Sequence, residues 1–98
     1  MLHLYFAPLE GITTYPYRKL HHKYFGGVDK YFTPFLAPGP EQGMSVKEMR
    51  DVLPENNAEV PVVPQILTNR SEGFIKLAKV LKDWGYEEIN LNLGCPSK

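Results

Sequence analysis

The sequence predicts an α/β fold in which four parallel β-strands alternate with helices. Four short apolar runs, rich in aromatic and β-branched residues, are spaced along the 98 residues, and each run is typical of a buried strand. A segment with helical spacing or helix-end signals follows each of the first three runs. Strands that alternate with helices along a chain run parallel and are joined by right-handed crossovers.

The first strand and helix are predicted from "LHLYFAP" and "YPYRKLHHKYF". The apolar run predicts a strand over residues 2–7 that is buried on both faces. Thr13 or Thr14 is expected to cap the helix, and Pro16 falls in its first turn, where a missing N–H does no harm. The Gly-Gly pair after Phe25 is a common signal for the end of a helix.

The second strand is predicted over residues 30–36, "KYFTPFL". Its pairing is expected to end near Pro34, because proline has no N–H for the ladder. The segment "MSVKEMRDVL" predicts a short helix over residues 45–52 with solvent-exposed charges, and "PENNAEV" predicts a loop.

The third strand is predicted over residues 60–67, with Gln65 at its downstream end. Asn69 and Glu72 have the spacing of a capping box for the next helix, and Gly85 is expected to end that helix. A fourth strand over residues 88–91 leads into "NLNLGCPSK". The apolar residues of the third helix have i, i+3, i+4, i+7 spacing and are expected to face the core: Phe74, Leu77, Ala78, Leu81 and Trp84.

This order of elements fits either an open doubly wound sheet or part of a closed (β/α)8 barrel. An eight-stranded barrel takes about 250 residues, so four strands within 98 residues correspond to half of one. In such a barrel the chemistry lies at the carboxyl ends of the strands. Small and polar residues cluster at the predicted ends: Pro8, Glu10, Gly11, Gln65, Asn90, Asn92, Gly94 and Cys95. Side-chain amides both donate and accept hydrogen bonds, which suits the ring edge of a flavin or a uracil.

Composition excludes several classes of protein. The formal net charge is zero, which argues against tight nucleic-acid binding by these residues alone. A single cysteine cannot form an intramolecular disulfide and favours a reducing, cytoplasmic setting. No apolar run reaches the roughly 18 residues that a bilayer requires, so no membrane partner is expected. His21 and His22 are adjacent on a helix and point in different directions, so no metal site is predicted.

Two stretches, "APLEGITTYPYR" and "NLNLGCPSK", resemble signatures of the tRNA-dihydrouridine synthases, which are flavin enzymes built on a (β/α)8 barrel. The first is similar to A-P-M-x-G-x-T-D/N-x-x-F/Y-R and the second to N-x-G-C-P, while "VPQI" agrees with a third family position. Leu9 and Thr14 depart from the first signature. The resemblance implies that residues 1–98 form the N-terminal half of the barrel. It also implies that the FMN phosphate site and a C-terminal helical RNA-binding domain lie downstream.

The resemblance further implies the chemistry. The family uses NADPH to reduce FMN, and the reduced flavin gives a hydride to C6 of selected tRNA uridines. Carried over to this sequence, Cys95 is the acid that protonates C5, and Asn92 binds the uracil. Pro8, Leu9 and Gln65 are expected to bind FMN. Arg18 is expected either to lie on the helix surface or to bind substrate.

Three further expectations follow for the chain by itself. It is expected to bind FMN weakly or not at all, to leave tRNA unreduced, and to self-associate through the exposed strands at the edges of an open half barrel. Two rival classes remain open. One is another flavin barrel that acts on a small pyrimidine or enone, and the other is a non-enzymatic interaction module.

Overall fold

The computed structural model describes residues 3–8, 13–38 and 43–92. The described strands form one parallel sheet in the order β1-β2-β3-β4. A doubly wound sheet reverses its strand order at a switch point, whereas consecutive neighbours are the pattern of a (β/α)8 barrel. The α/β class and the barrel-like order are therefore confirmed. The elements are β1 (Tyr5–Phe6), α1 (Tyr15–Phe25), β2 (Lys30–Leu36), α2 (Val46–Val52), a 3₁₀ turn (Pro54–Asn57), β3 (Val62–Leu67), α3 (Ser71–Asp83) and β4 (Asn90–Asn92).

Helix α1 has the predicted bounds but not the predicted cap. Thr14 occupies the N-cap position, yet its side chain accepts no capping hydrogen bond. The Tyr15 N–H instead donates to Oδ1 of Asp51 at 2.7 Å, so a carboxylate from α2 caps the helix. At the other end Gly26 has a φ of 58°, a left-handed conformation that favours glycine.

Strand β2 continues through Pro34, and the prediction that its pairing ends there is wrong. Phe32 pairs with Val63 and Phe35 pairs with Gln65, so β2 advances three residues while β3 advances two. The extra residue makes a β-bulge, which accommodates a proline because the ladder is already interrupted there. The hydroxyl Oγ1 of Thr33 accepts the Gln65 N–H at 3.0 Å and so bridges the interruption.

Of the other two helices, α2 has a side-chain cap at its N-terminus and α3 does not. Ser45 caps α2 in a capping box with Glu48, close to the predicted helix start. For α3 the predicted capping box is wrong, because the N-cap is Arg70 without a side-chain cap. The Arg70 N–H donates to Oγ1 of Thr68 at 3.1 Å. The segment expected to be a loop after α2 contains the 3₁₀ turn.

The core lies between the sheet and helices α2 and α3. Its buried members come from β2, α2, β3 and α3: Leu36, Val52, Ile66, Leu77 and Leu81. Phe74 and Trp84 pack against this cluster, so the predicted apolar stripe of α3 is confirmed. Within the described parts of the chain, no helix is both long enough and apolar enough to traverse a lipid bilayer.

Strand β1 departs most from its prediction. It is two residues long, and Tyr5 is 55% exposed, so burial on both faces is wrong. Phe6 contacts the aromatic rings of Tyr31 and His21 at centroid distances of 5.3 and 4.7 Å. One face of β1 therefore packs against α1, while the opposite face remains uncovered by the described residues.

Candidate functional site

The face of the sheet that points away from the helices carries the candidate site. Ile66 belongs to the helix-side core, and neighbouring residues of a strand point to opposite faces. Gln65 therefore points to the other face. Asn90 pairs with Gln65 in the sheet register, and its Nδ2 donates to Oε1 of Gln65 at 3.1 Å. Asn92, two residues further along β4, lies on the same face as Asn90.

Gln65 is held by bonds to both neighbouring strands. It is 7% exposed, and its Nε2 donates to the carbonyl oxygen of Thr33 at 3.1 Å. On the other side its Oε1 accepts from Asn90. A side-chain amide has two N–H groups and two oxygen lone pairs. Among the described residues these contacts use one of each, which leaves one donor and one acceptor position for a ligand.

The other predicted site residues lie toward the carboxyl ends of the edge strands. Asn92 is the last residue of β4 and pairs with Leu67, while its backbone oxygen accepts the Thr68 N–H at 3.1 Å. Pro8 follows β1 and is half-buried. The structure thus brings Gln65 and Asn90 into contact, and it places Asn92 and Pro8 on opposite edges of the same sheet.

Several predicted positions lie outside the described residues. These are the proposed acid Cys95, the FMN-contact candidate Leu9, and three residues named at the predicted strand ends: Glu10, Gly11 and Gly94. Their roles remain predictions from the sequence.

Arg18 requires a correction. It is neither a surface residue nor available to a substrate, because its exposure is 0%. Nη1 donates to the Thr13 oxygen at 2.8 Å and to Oδ2 of Asp51 at 3.2 Å. Nη2 donates to the Asp51 backbone oxygen at 2.7 Å and to Oδ1 of Asn57 at 2.9 Å. The guanidinium therefore ties α1 to α2 and the 3₁₀ turn, and the assignment of Arg18 to substrate binding is wrong.

Sequence reasoning missed the partners of this buried cation. Asp51 was predicted to be a solvated charge, but it is 7% exposed. Nearby, the Tyr86 hydroxyl donates to the Val52 oxygen at 2.6 Å, and burial raises the pKa of Tyr86 to about 12. The phenol thus stays a neutral donor over the whole physiological range.

Sequence reasoning also left Asn90 and Thr33 without a role in the site. Asn90 appeared only as one of several polar residues near a strand end, and Thr33 appeared as an ordinary strand residue. One signal was available, since a Thr-Pro pair inside a strand indicates a bulge. Bulges are frequent next to functional sites, where they redirect a side chain.

Charge on this face lies at the amino end of the sheet. Nζ of Lys30, the first residue of β2, contacts Oε2 of Glu88 at 2.8 Å, and this hydrogen bond raises the pKa of Lys30. Toward the carboxyl end the described polar side chains that the strands place on this face are neutral amides, and Phe35 and Leu67 are their apolar neighbours in the sheet register. Among the described residues, no group of three or more His, Cys, Asp or Glu side chains could hold a metal ion. The described part of the face suits a neutral, hydrogen-bonding ring.

The fold is that of the (β/α)-barrel class, with consecutive parallel strands, and the candidate site consists of polar groups toward their carboxyl ends. The family model described as "Dihydrouridine synthase (Dus)" matches residues 5–98. The chain belongs to the dihydrouridine synthase family.

Curated relatives carry the same family name. The chain is 34% identical over 77 residues to a tRNA-dihydrouridine(20/20a) synthase of Vibrio parahaemolyticus, covering 79% of this chain and 24% of that protein. It is 40% identical over 77 residues to the Vibrio vulnificus protein of that name, with coverage of 79% and 24%. To tRNA-dihydrouridine synthase B of Pasteurella multocida it is 27% identical over 95 residues, with coverage of 97% and 28%. The chain thus spans about a quarter of the length of these relatives. No solved structure matches it.

Proposed function

We propose that this chain forms part of the active-site barrel of an FMN-dependent tRNA-dihydrouridine synthase that acts in the cytoplasm. The supporting observation is the Gln65–Asn90 amide pair on the face away from the helices. Asn90 lies two residues before Asn92 in the same strand. The match to the dihydrouridine synthase family over residues 5–98 supports the reaction class. We further propose that the rest of the barrel and an RNA-binding domain belong to the same protein.

The residues of this face fit a flavin ring. Gln65 has one N–H and one lone pair left after its contacts within the sheet, and a flavin edge offers both acceptors and a donor. Pro8 and Leu9, after β1, would add backbone and apolar contacts. When bound, FMN supplies the hydride for C6 of uracil after NADPH has reduced it.

The chain's own residues supply the remaining steps. Asn92 would hold the polar edge of the target uracil, since its amide can pair with a carbonyl and an N–H at once. Cys95 would hold the proton that C5 receives as the hydride reaches C6, so that the C5–C6 double bond becomes a single bond. This role requires a neutral thiol at the moment of transfer, in contrast to the thiolate of a nucleophilic cysteine.

The decisive experiment supplies the full-length protein that carries this chain with FMN, NADPH and unmodified tRNA. We expect dihydrouridine, detected by mass spectrometry as the gain of two hydrogens on a uridine. Dihydroorotate in place of NADPH as the reductant, and simple enones in place of tRNA as the oxidant, are tested in parallel; turnover of either without turnover of tRNA would favour another flavin barrel. Absence of flavin binding and of all turnover would favour a non-enzymatic interaction module.

The same assay tests the 98-residue chain alone. We expect weak or absent FMN binding and no tRNA reduction, because only Pro8, Leu9 and Gln65 of the proposed FMN contacts lie within it. A yellow preparation of the 98-residue chain with one flavin per chain would contradict this expectation.

We also propose that the 98-residue chain self-associates through its edge strands. Among the described strands, β1 and β4 each pair with a single neighbour. Apolar side chains near them are exposed, with Leu4 at 49%, Tyr5 at 55% and Leu91 at 44%. Unpaired strand edges readily accept further strands.

Sedimentation velocity over a concentration series should therefore show dimers or larger species. Tyr5→Lys should shift the distribution toward monomer, because an edge charge opposes pairing. Ile75→Lys is the matched control, since Ile75 is 51% exposed on α3 and should change little. A compact monomer at every concentration would contradict self-association.

A further inference from the structure

We propose that Thr33 and Asn90 are positioning residues that fix the direction of the Gln65 side-chain amide for ring recognition. This inference rests on the proposed function, because the ring concerned is the flavin. It adds two residues that the sequence left without a role. The three residues come from neighbouring strands β2, β3 and β4. The Gln65 side chain donates to the Thr33 backbone oxygen and accepts from the Asn90 side chain, and the Gln65 backbone N–H donates to the Thr33 hydroxyl.

The direction of the amide is determined at the Thr33 end. A backbone carbonyl only accepts hydrogen bonds, so the group 3.1 Å from the Thr33 oxygen must be Nε2 of Gln65. With Nε2 toward β2, Oε1 points toward β4 and accepts from Asn90. The Asn90 amide can turn over about its own side-chain bond, whereas the Thr33 carbonyl is part of the backbone. Thr33 therefore sets the direction and Asn90 holds it.

The Thr33 carbonyl lies at the bulge and faces the Gln65 side chain. The bulge falls between Phe32 and Phe35; there the Gln65 backbone N–H donates to the Thr33 hydroxyl, and the Gln65 side chain donates to the Thr33 carbonyl. A buried carbonyl needs a partner, and Thr33 has an exposure of 0%. The Gln65 side chain meets that need, so the bulge and the orientation of the amide are two parts of one arrangement.

The Thr33 hydroxyl holds the same residue from a second side. It donates to the Pro34 oxygen at 2.8 Å, which turns a lone pair toward the Gln65 backbone N–H at 3.0 Å. Backbone and side chain of Gln65 are thus both tied to Thr33. The remaining N–H and lone pair of the amide are then presented in one fixed order, as recognition of an edge with alternating donors and acceptors requires.

The test measures FMN binding to the full-length protein by flavin fluorescence, together with the flavin absorption spectrum and its reduction potential. Thr33→Val keeps the carbonyl but removes the hydroxyl that holds the Gln65 backbone N–H, and Asn90→Leu removes the donor to Oε1 of Gln65. Each is expected to weaken FMN binding by about 3–10-fold, the effect of about one hydrogen bond, and to shift the flavin spectrum. Thr33→Ser keeps the hydroxyl and should bind within about twofold of wild type. Asn69→Leu replaces an exposed asparagine outside this chain of bonds and is the matched control.

A double-mutant cycle tests whether Asn90 acts through Gln65 or contacts FMN directly. If Asn90 acts through Gln65, then adding Asn90→Leu to Gln65→Leu should cost little further affinity. Additive losses would overturn the positioning role. So would an effect of Gln65→Leu on FMN binding with no effect of Thr33→Val or Asn90→Leu, or a loss of thermal stability without a spectral shift. Failure of the wild-type protein to bind FMN would instead reject the proposed function itself, and this inference with it.

Discussion

Replacement of Cys95 by alanine in the full-length protein is expected to lower dihydrouridine formation by about 10²–10⁴-fold, the usual contribution of a positioned general acid. Alanine has no proton to deliver to C5, so hydride transfer to C6 would have to await a proton from water. The proposed flavin contacts come from Gln65 in β3 and from Pro8 and Leu9, which follow β1 in the sequence. FMN binding should therefore change little.

Separate measurement of the two half-reactions tests this role. Oxidation of NADPH by the bound flavin should keep its wild-type rate in Cys95→Ala, while reoxidation by tRNA slows. Cys95→Ser offers a weaker acid of similar shape and should lie between the two. A wild-type rate of tRNA reduction in Cys95→Ala would remove the cysteine from the acid role. Equal loss of flavin and activity would indicate a structural role.

Replacement of Asp51 by alanine is expected to destabilise the protein by about 3–5 kcal/mol, as is typical when one partner of a buried ion pair is removed. The side chains of Arg18 and Asp51 are only 0% and 10% exposed. Without the carboxylate, the Arg18 guanidinium stays buried without a counter-charge. The Tyr15 N–H also loses the acceptor that caps α1.

Chemical denaturation of the full-length protein, followed by circular dichroism, measures this loss. Asp83→Ala removes the same carboxylate from an exposed position and should change stability by no more than about 0.5 kcal/mol. The double variant Arg18→Leu and Asp51→Leu should cost less than the sum of its two single variants, because no unpaired charge remains. A loss below about 1 kcal/mol in Asp51→Ala would show that the pair contributes little.

Local signals predicted some elements well because their causes lie within a few residues. The bounds of α1 follow from Pro16 in the first turn and the glycines after Phe25. The core-facing stripe of α3 follows from its own periodicity. The cap of α1 could not be predicted this way, because Asp51 lies 36 positions beyond Tyr15. The continuation of β2 past Pro34 likewise depends on a partner in β3.

In the candidate site, too, the sequence identified individual residues but not the contacts between them. The sequence identified Gln65 and Asn92 from their places near strand ends, and Cys95 from its motif. It could not show that Asn90 and Thr33 hold Gln65, since these contacts join residues 25 and 32 positions apart. Their partners become neighbours only when the strands align.

The sequence by itself determined the α/β class, the order of strands and helices, and the motifs that carry the family likeness, because each is written in adjacent residues. Only the tertiary structure decided which polar residues are enclosed within the fold and which lie on the face of the candidate site. Arg18 and Gln65 both stand in family-like stretches, yet one is enclosed between helices and the other lies on the face away from them. Burial is a property of surrounding atoms, most of them distant in sequence, and so only folding assigns it.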